Sequence, residues 1–317
     1  MPALPNLSVQ QLDYLVAVHE APTWADAAAA VGVTPSALSQ GLAELERRLG
    51  VTLFTRDGRR RVPTEAAAVV LDHARAVLAR TQDLARWAER RRAGQAGVVR
   101  VGMIDAAATI HCAAQLAGFR AARPEVDLRL QVVPSGQLLR SVVAARLDVA
   151  VCVAPPVPPE GVTATPLLDE ELAVYAPVGD GLPGGVPGAA GTAPAAGAAP
   201  AAPGAGAAGP AADAWGPWVM YPVGSHTRAL VLDALRRAGR PTTVVAESHQ
   251  PDVLAQMVAL GLGWSVLPVA QVDRFGVELR RVGDEPFVRR TLVVARRADG
   301  PADPTVDALV AAITGER

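Results

Sequence analysis

Residues 33–50 read Val33-Thr34-Pro35-Ser36-Ala37-Leu38-Ser39-Gln40-Gly41-Leu42-Ala43-Glu44-Leu45-Glu46-Arg47-Arg48-Leu49-Gly50, and this order predicts a helix with a defined start and a defined inner face. Thr34 suits the N-cap because its hydroxyl can accept a first-turn N–H, and Pro35 suits the first helical position, where no N–H is needed. Ala37, Leu38, Leu42, Leu45 and Leu49 fall on one side, leaving Ser36, Ser39 and Gln40 outward near the N-terminus. Just upstream, Trp24 to Val31 predicts a short Ala-rich helix between Thr23 and Gly32. Before it, Leu12, Leu15 and Val16 recur at helical spacing after a cap at Ser8. Two short helices joined by a tight turn, the second carrying small polar residues at its free end, predict a helix-turn-helix. The major groove of duplex DNA admits such a helix, short polar side chains reach base edges, and the helix N-terminus favours phosphate.

Downstream, Leu53-Phe54-Thr55-Arg56-Asp57-Gly58-Arg59-Arg60-Arg61-Val62 reads as two short strands around a glycine turn, a wing carrying arginines. Over residues 47–61, Arg47, Arg48, Arg56, Arg59, Arg60 and Arg61 face only Asp57. That imbalance suits phosphate contact, with a solvated charged face as the alternative. From Thr64 and Glu65 no breaker occurs before Ala93, enough for a helix of about 45 Å. Val70, Ala74, Val77, Thr81, Leu84 and Ala88 alternate at spacings of four and three, the seam of a short coiled coil. A helix lying on its own domain is the alternative, and Gly94 and Gly97 end the run.

The remaining two-thirds alternate strand and helix. Val98 to Ile104, Asp127 to Val133 and Leu147 to Val153 predict strands. Asp105 is placed to cap the helix after the first, and Pro134-Ser135-Gly136 opens another helix. This is the βαβ pattern of a parallel sheet. Later, strands at 217–221 and 243–246 flank a helix from Arg228 to Ala238, and Gly261 to Pro268 follows a third helix. In such sheets ligands bind beyond the carboxyl ends of strands, where helix N-termini present free N–H groups. Asp105, Ser135 and the turn Ser225-His226-Thr227-Arg228 fall at such places, with Ser248 and Gln250 as weaker candidates. Arg228 can grip a carboxylate bidentately, or is an ordinary helix-surface arginine. Asp105 disfavours a carboxylate and favours an amine, or is a simple cap.

A length of 317 residues predicts two or three folded units, and 50% apolar with 19% charged residues suits a globular protein. The net charge of −1 hides an asymmetry: residues 1–93 carry 12 Arg against 10 acids, and residues 94–317 carry 18 against 21. Lysine is absent, and residues 184–212 are 27 of 29 Ala, Gly or Pro, a composition that predicts disorder. Two cysteines, Cys112 and Cys152, make no disulfide framework and predict a reducing compartment. Met1 to Asn6 lacks the charged and apolar regions of a secretory signal, and no run is apolar enough for a membrane helix, so a cytoplasmic protein without membrane contact is expected. Phosphate-cradling, zinc-protease and nucleophile-elbow motifs are absent, and the five histidines do not cluster. No catalytic residue, cofactor or metal is therefore expected.

The run Ala27 to Gly50, then Leu53-Phe54-Thr55-Arg56 and Pro63-Thr64-Glu65-Ala66, resembles the LysR-type transcriptional regulators. So do Leu147-Asp148-Val149-Ala150, Tyr221 to Arg228, and Val258 to Gly263 with Leu267-Pro268. Two positions depart from the pattern: Gln40 stands where arginine is frequent, and Ala67 where glycine is. The resemblance implies an α/β protein with an N-terminal winged helix-turn-helix (1–63), a long linker helix (64–93) and a two-lobed, periplasmic-binding-protein-like effector domain. Lobe I would comprise 97–169 and 269–317, and lobe II 170–268, with 179–214 of low complexity. The implied DNA contacts are Thr34, Pro35, Ser36, Ser39, Gln40, Arg56, Arg59, Arg60 and Arg61. The implied effector contacts are Asp105, Ser135, Ser225, Thr227, Arg228 and Ser248. Implied partners are double-stranded promoter DNA, a small-molecule effector, a second copy as dimer or tetramer, and RNA polymerase. The competing reading is a solute-binding or catalytic α/β protein whose N-terminal part only dimerises, and a third is a regulator whose cleft binds nothing.

Overall fold

The computed structural model describes residues 6–57, 60–93, 97–178 and 215–315. Helices α1 (Val9–Glu20), α2 (Trp24–Ala30) and α3 (Pro35–Leu49) precede strands β1 (Phe54–Asp57) and β2 (Arg60–Pro63) and the 29-residue helix α4 (Glu65–Ala93). Ser8, Thr23 and Thr34 each cap a helix with the side-chain oxygen, and Pro35 occupies the first turn of α3. The inner faces of all three helices join Leu53, Ala67, Leu71 and Ala74 in one core. Gly41 permits the closest approach: a Cβ there would lie 2.6 Å from the Tyr14 ring of α1.

The expected seam of α4 divides. Ala74 is buried and Val70 packs in the N-terminal core, whereas Val77, Thr81 and Leu84 are exposed. The C-terminal half of α4 is instead gripped by charge. Arg86 pairs with Asp83 (2.5 Å) and Asp148 (2.7 Å), Arg297 pairs with Asp83 (2.5 Å), and Arg80 pairs with Asp299 (2.7 Å).

The second part begins with β3 (Val98–Met103), a π-helical turn (Ala107–His111), α5 (Ala113–Ala122), β4 (Asp127–Val132), α6 (Ser135–Val143) and β5 (Val149–Val153). Strands β4, β3 and β5 are parallel neighbours, as the alternating pattern predicts. Then come β6 (Val162–Ala176), β7 (Trp218–Met220), α7 (His226–Arg237), β8 (Val244–Glu247), α8 (Pro251–Ala259), β9 (Ser265–Pro268), α9 (Val269–Val272), β10 (Arg280–Val282), β11 (Val288–Arg297) and α10 (Pro304–Thr314). Two long strands join the lobes. From Val162 to Leu172, β6 lies antiparallel to β11, which also borders β5, while its last residues, Leu172 to Ala176, take β9 and β10. One core gathers β3, β5 and β11 under α6 and α10. Two smaller cores gather the end of β6 with β7, β9, α7 and α8.

One boundary moves. Residues 269–288 pack in the second lobe, with Val269, Val272 and Phe275 in one core and Val282, Phe287 and Val288 in the other. The chain rejoins the first lobe at Leu292 rather than at 269, because β10 pairs with the far end of β6 before β11 turns back. The Ala/Gly/Pro-rich segment 179–214 and Gly94 lie outside the described residues.

At the junction of the lobes, Glu170 of β6 and Arg290 of β11 stand opposite each other and are 2% and 4% exposed. Arg290 Nε donates to one Glu170 oxygen at 2.7 Å, Nη2 lies 2.6 Å from the same oxygen in the ion pair, and Nη1 donates to Thr227 Oγ1 of α7 at 2.8 Å. The other Glu170 oxygen meets His111 Nε2 at 2.8 Å. Burial alone would push the Glu170 carboxyl up, but the His111 hydrogen bond and the Arg290 charge outweigh it and hold the group below its ordinary value of 4.5. A depressed carboxyl contributes stability above its unfolded value and loses it as pH falls through the folded one. Glu170→Gln is therefore expected to cost about 3 kcal/mol at neutral pH. In urea titrations the gap to the parent should narrow below pH 4.5. Parallel curves across that range would refute this account of the junction.

Candidate DNA-reading head and effector cleft

The start of α3 is the free end of the N-terminal unit. Leu38, Leu42 and Leu45 are buried against α1 and α2, so the opposite face of the same two turns points outward. Thr34, Pro35, Ser36 and Gln40 are exposed and Ser39 is half-buried. The wing is tied to the end of α3 by Glu46, whose Oε1 accepts from the Leu53 and Phe54 amides at 2.7 and 3.1 Å. Phe54 meets Trp24 edge to face at 5.2 Å, and the Arg61 guanidinium lies 4.5 Å from the Trp24 ring centre. Stacking orients Arg61 without neutralising it, which suits a phosphate contact. Arg47 and Arg48 share the one carboxylate of Glu44, which their hydrogen bonds pull down to about 2, so one of their two charges is offset locally. Arg59 and the side chains of Arg56 and Arg60 lie outside the described residues.

Between the lobes is a cavity of about 490 Å³, bordered by Ile104, Asp105, Ser135, Val153, Ser225, Thr227 and Ser248, among others. Five of the six candidate effector contacts thus meet in one place. The first turns of α6, α7 and α8 all open on it, through Ser135, Ser225 and Pro251. Ser135 Oγ accepts from the Val153 amide at 3.2 Å, and Ser225 caps α7. Asp105 does not cap a helix as expected; its carboxylate accepts from Gln271 Nε2 of α9 at 2.7 Å. That contact crosses from one lobe to the other.

The sixth candidate, Arg228, is directed elsewhere. Its guanidinium donates to the Tyr221 carbonyl at 3.0 Å and pairs with Glu247, and it does not border the cavity. The arginine at the cavity is Arg290, which the sequence reading missed. Tyr221 borders it too, its buried hydroxyl lacking a hydrogen-bond partner and pushed up to about 12 by burial. A usable signal for Arg290 existed: the acidic run Asp169-Glu170-Glu171 and the run Arg289-Arg290-Thr291 are complementary.

The cleft and the linker helix are connected by two neighbouring strands. Val153 ends β5 at the cavity and Asp148 immediately precedes β5 at α4. Likewise, β11 holds Arg290 at the cavity and Arg297 at α4.

Comparison with known proteins identifies both parts. The profile of the bacterial regulatory helix-turn-helix protein, lysR family, matches residues 9–68, and that of the LysR substrate binding domain matches residues 92–317. A probable hydrogen peroxide-inducible genes activator of Streptomyces viridosporus is 29% identical over 316 residues, covering 96% of this chain and 93% of that protein. The HTH-type transcriptional regulator IlvR of Caulobacter vibrioides is 26% identical over 314 residues, covering 97% and 98%. The fold is shared with a full-length OxyR variant from Pseudomonas aeruginosa (TM-score 0.55, 22% identity, 97% and 95% covered). It is shared also with full-length CbnR in complex with its target DNA (TM-score 0.56, 18% identity, 97% and 99% covered). With one matched profile spanning the reading head and the other the whole effector domain, this chain belongs to the LysR family of DNA-binding transcriptional regulators.

Proposed function

We propose that this regulator reads a two-fold symmetric promoter site as a homodimer or a dimer of dimers in the cytoplasm, with RNA polymerase as its downstream partner. A small molecule in the interlobe cleft sets its activity. The observation that carries the DNA reading is the outward face of α3, where Ser36 and Gln40 stand exposed above buried Leu38 and Leu42. Thr34, Pro35 and Ser39 flank them, and Arg61 with the wing residues Arg56, Arg59 and Arg60 supplies phosphate contacts. Base-edge hydrogen bonds specify, whereas phosphate contacts only position. Val77 and Leu84, seven residues apart and exposed, support pairing of α4 with a second copy. Two heads on one pair of helices then meet successive major grooves roughly 34 Å apart.

A ligand that moves the lobes shifts β5 and β11, and with them the charged contacts on α4. This is how occupancy would reach the reading heads. The residues proposed to meet the effector are Asp105, Ser135, Ser225, Thr227 and Ser248, with Arg290 in the place first given to Arg228.

Replacing Ser36 and Gln40 together by alanine is expected to weaken specific binding about tenfold or more, each good base contact being worth about 1–3 kcal/mol. Anisotropy titrations at fixed salt against the gene's own upstream DNA and a scrambled duplex measure this. An unchanged ratio of the two affinities would overturn the assignment.

The Streptomyces relative is named for induction by hydrogen peroxide. Thiolate, not thiol, reacts with peroxide. Here the two cysteines are buried, and burial pushes Cys112 to about 11 and Cys152 to about 12. We therefore infer a bound effector rather than an oxidised thiol. The native protein should resist iodoacetamide at pH 7.5 and keep its DNA affinity after hydrogen peroxide, both followed by mass spectrometry and anisotropy. Rapid native labelling would count against this.

A further inference from the structure

The charges around the cleft define the chemistry of what it can hold. Arg290 borders the cavity, but its charge is matched by Glu170, and its hydrogen bonds to Glu170 and Thr227 use two of its five N–H donors. Asp105 is different. It borders the cavity half-buried, accepts only the neutral Gln271 amide in a hydrogen bond, and has no cation partner among the described residues. A desolvated carboxylate without a counter-charge attracts a cation.

The opposite chemistry surrounds it. Helices α6 and α8 begin at the cavity, and neither has a side-chain cap on its first turn. The positive ends of both dipoles favour an anion, but Pro251 leaves α8 one N–H fewer and the exposed Asp252 shares its first turn, so the free N–H groups come chiefly from the Ser135-Gly136 turn of α6. Ile104, Val133 and Val153 add apolar wall. A volume of about 490 Å³ falls within the range of small-molecule sites, far more than a lone ion occupies.

A dicarboxylate would place an anion against Asp105, and a plain amine would leave the helix ends uncovered. We propose that the cleft binds an α-amino acid with an apolar side chain, its ammonium on Asp105 and its carboxylate at the first turns of α6 and α8 beside Arg290. This rests on the reading of the cleft as the effector site.

The test screens the full-length protein by thermal melting against the common L-α-amino acids at millimolar concentration, with titration calorimetry on each hit. An apolar amino acid should raise the melting temperature. Its carboxamide, lacking the carboxylate, and its deaminated acid, lacking the ammonium, should each bind at least about tenfold more weakly. In Asp105→Asn, whose amide oxygen can still accept from Gln271, the preference for amino acid over deaminated acid should fall below about threefold. The analogue series on the parent protein decides the matter even if that variant folds poorly. No shift with any amino acid, or an Asn variant that keeps the ammonium preference, overturns the proposal. A neutral or dianionic ligand found in the cleft, with specific promoter binding intact, would overturn the ligand class alone. Failure of the unliganded protein to discriminate promoter from scrambled DNA would instead remove the regulatory reading.

Discussion

The two lobes are held in register by one buried ion pair. Glu170 and Arg290 face each other across β6 and β11, the two long strands that run through both lobes. Desolvating two charges offsets most of their attraction, so an apolar pair of equal volume would hold the fold as well. What the pair adds is register. On the other face of the same ladder Arg289 meets Glu171 at 2.8 Å, and one step further Thr291 meets Asp169 at 2.7 Å. A slip of one residue would turn Glu170 to the exposed face, and a slip of two would oppose it to Val288 or Leu292. Because Thr227 and His111 bind the same pair from opposite lobes, any opening of the cleft must rearrange this centre or pivot on it.

The charged contacts on α4 lie at the far ends of strands that border the cleft. Strands β5 and β11 are antiparallel neighbours over Ala150 to Val153 and Leu292 to Ala295. Both lead from the cavity to α4. The contacts there are side chains 9–13% exposed and form one network, with Asp83 shared by Arg86 and Arg297 and Arg86 shared by Asp83 and Asp148. The sheet and the helix are thereby joined by a shielded charge network.

The N-terminal unit was legible in the sequence because each of its determinants is local. Ser8, Thr23 and Thr34 lie next to the helices they cap, and Pro35 marks a first turn by its missing N–H. Strands β3, β4 and β5 were legible for a similar reason, as short apolar or alternating runs before helical ones. Strands β6 and β11 were not. Pro166 and the acids at 169–171 break the apolar pattern in the middle of β6, and pairing with β11, more than a hundred residues away, makes it a strand. The same separation hid Arg290 from the cavity lining, and Arg228, read as a carboxylate grip or an ordinary helix-surface arginine, pairs with Glu247 from another strand. Asp105 borders the cavity, and the helix cap expected of it is replaced by a contact with Gln271, which belongs to the opposite lobe.

The divided helix α4 has a mechanical consequence. At 100° per residue, Ala79, Gln82, Asp83 and Arg86 share one side of its C-terminal half, while Val77, Thr81, Leu84 and Ala88 share the opposite one. The first side is buried or half-buried against lobe I, and on the other Leu84 is 65% exposed. A helix gripped on one side by its own effector domain cannot rotate to bury its apolar side, so that side is available only to another molecule. In the proposed dimer the partner would be the equivalent side of a second α4. A shift imposed by one effector domain would then act on both helices at once, and both reading heads would change spacing together rather than one at a time.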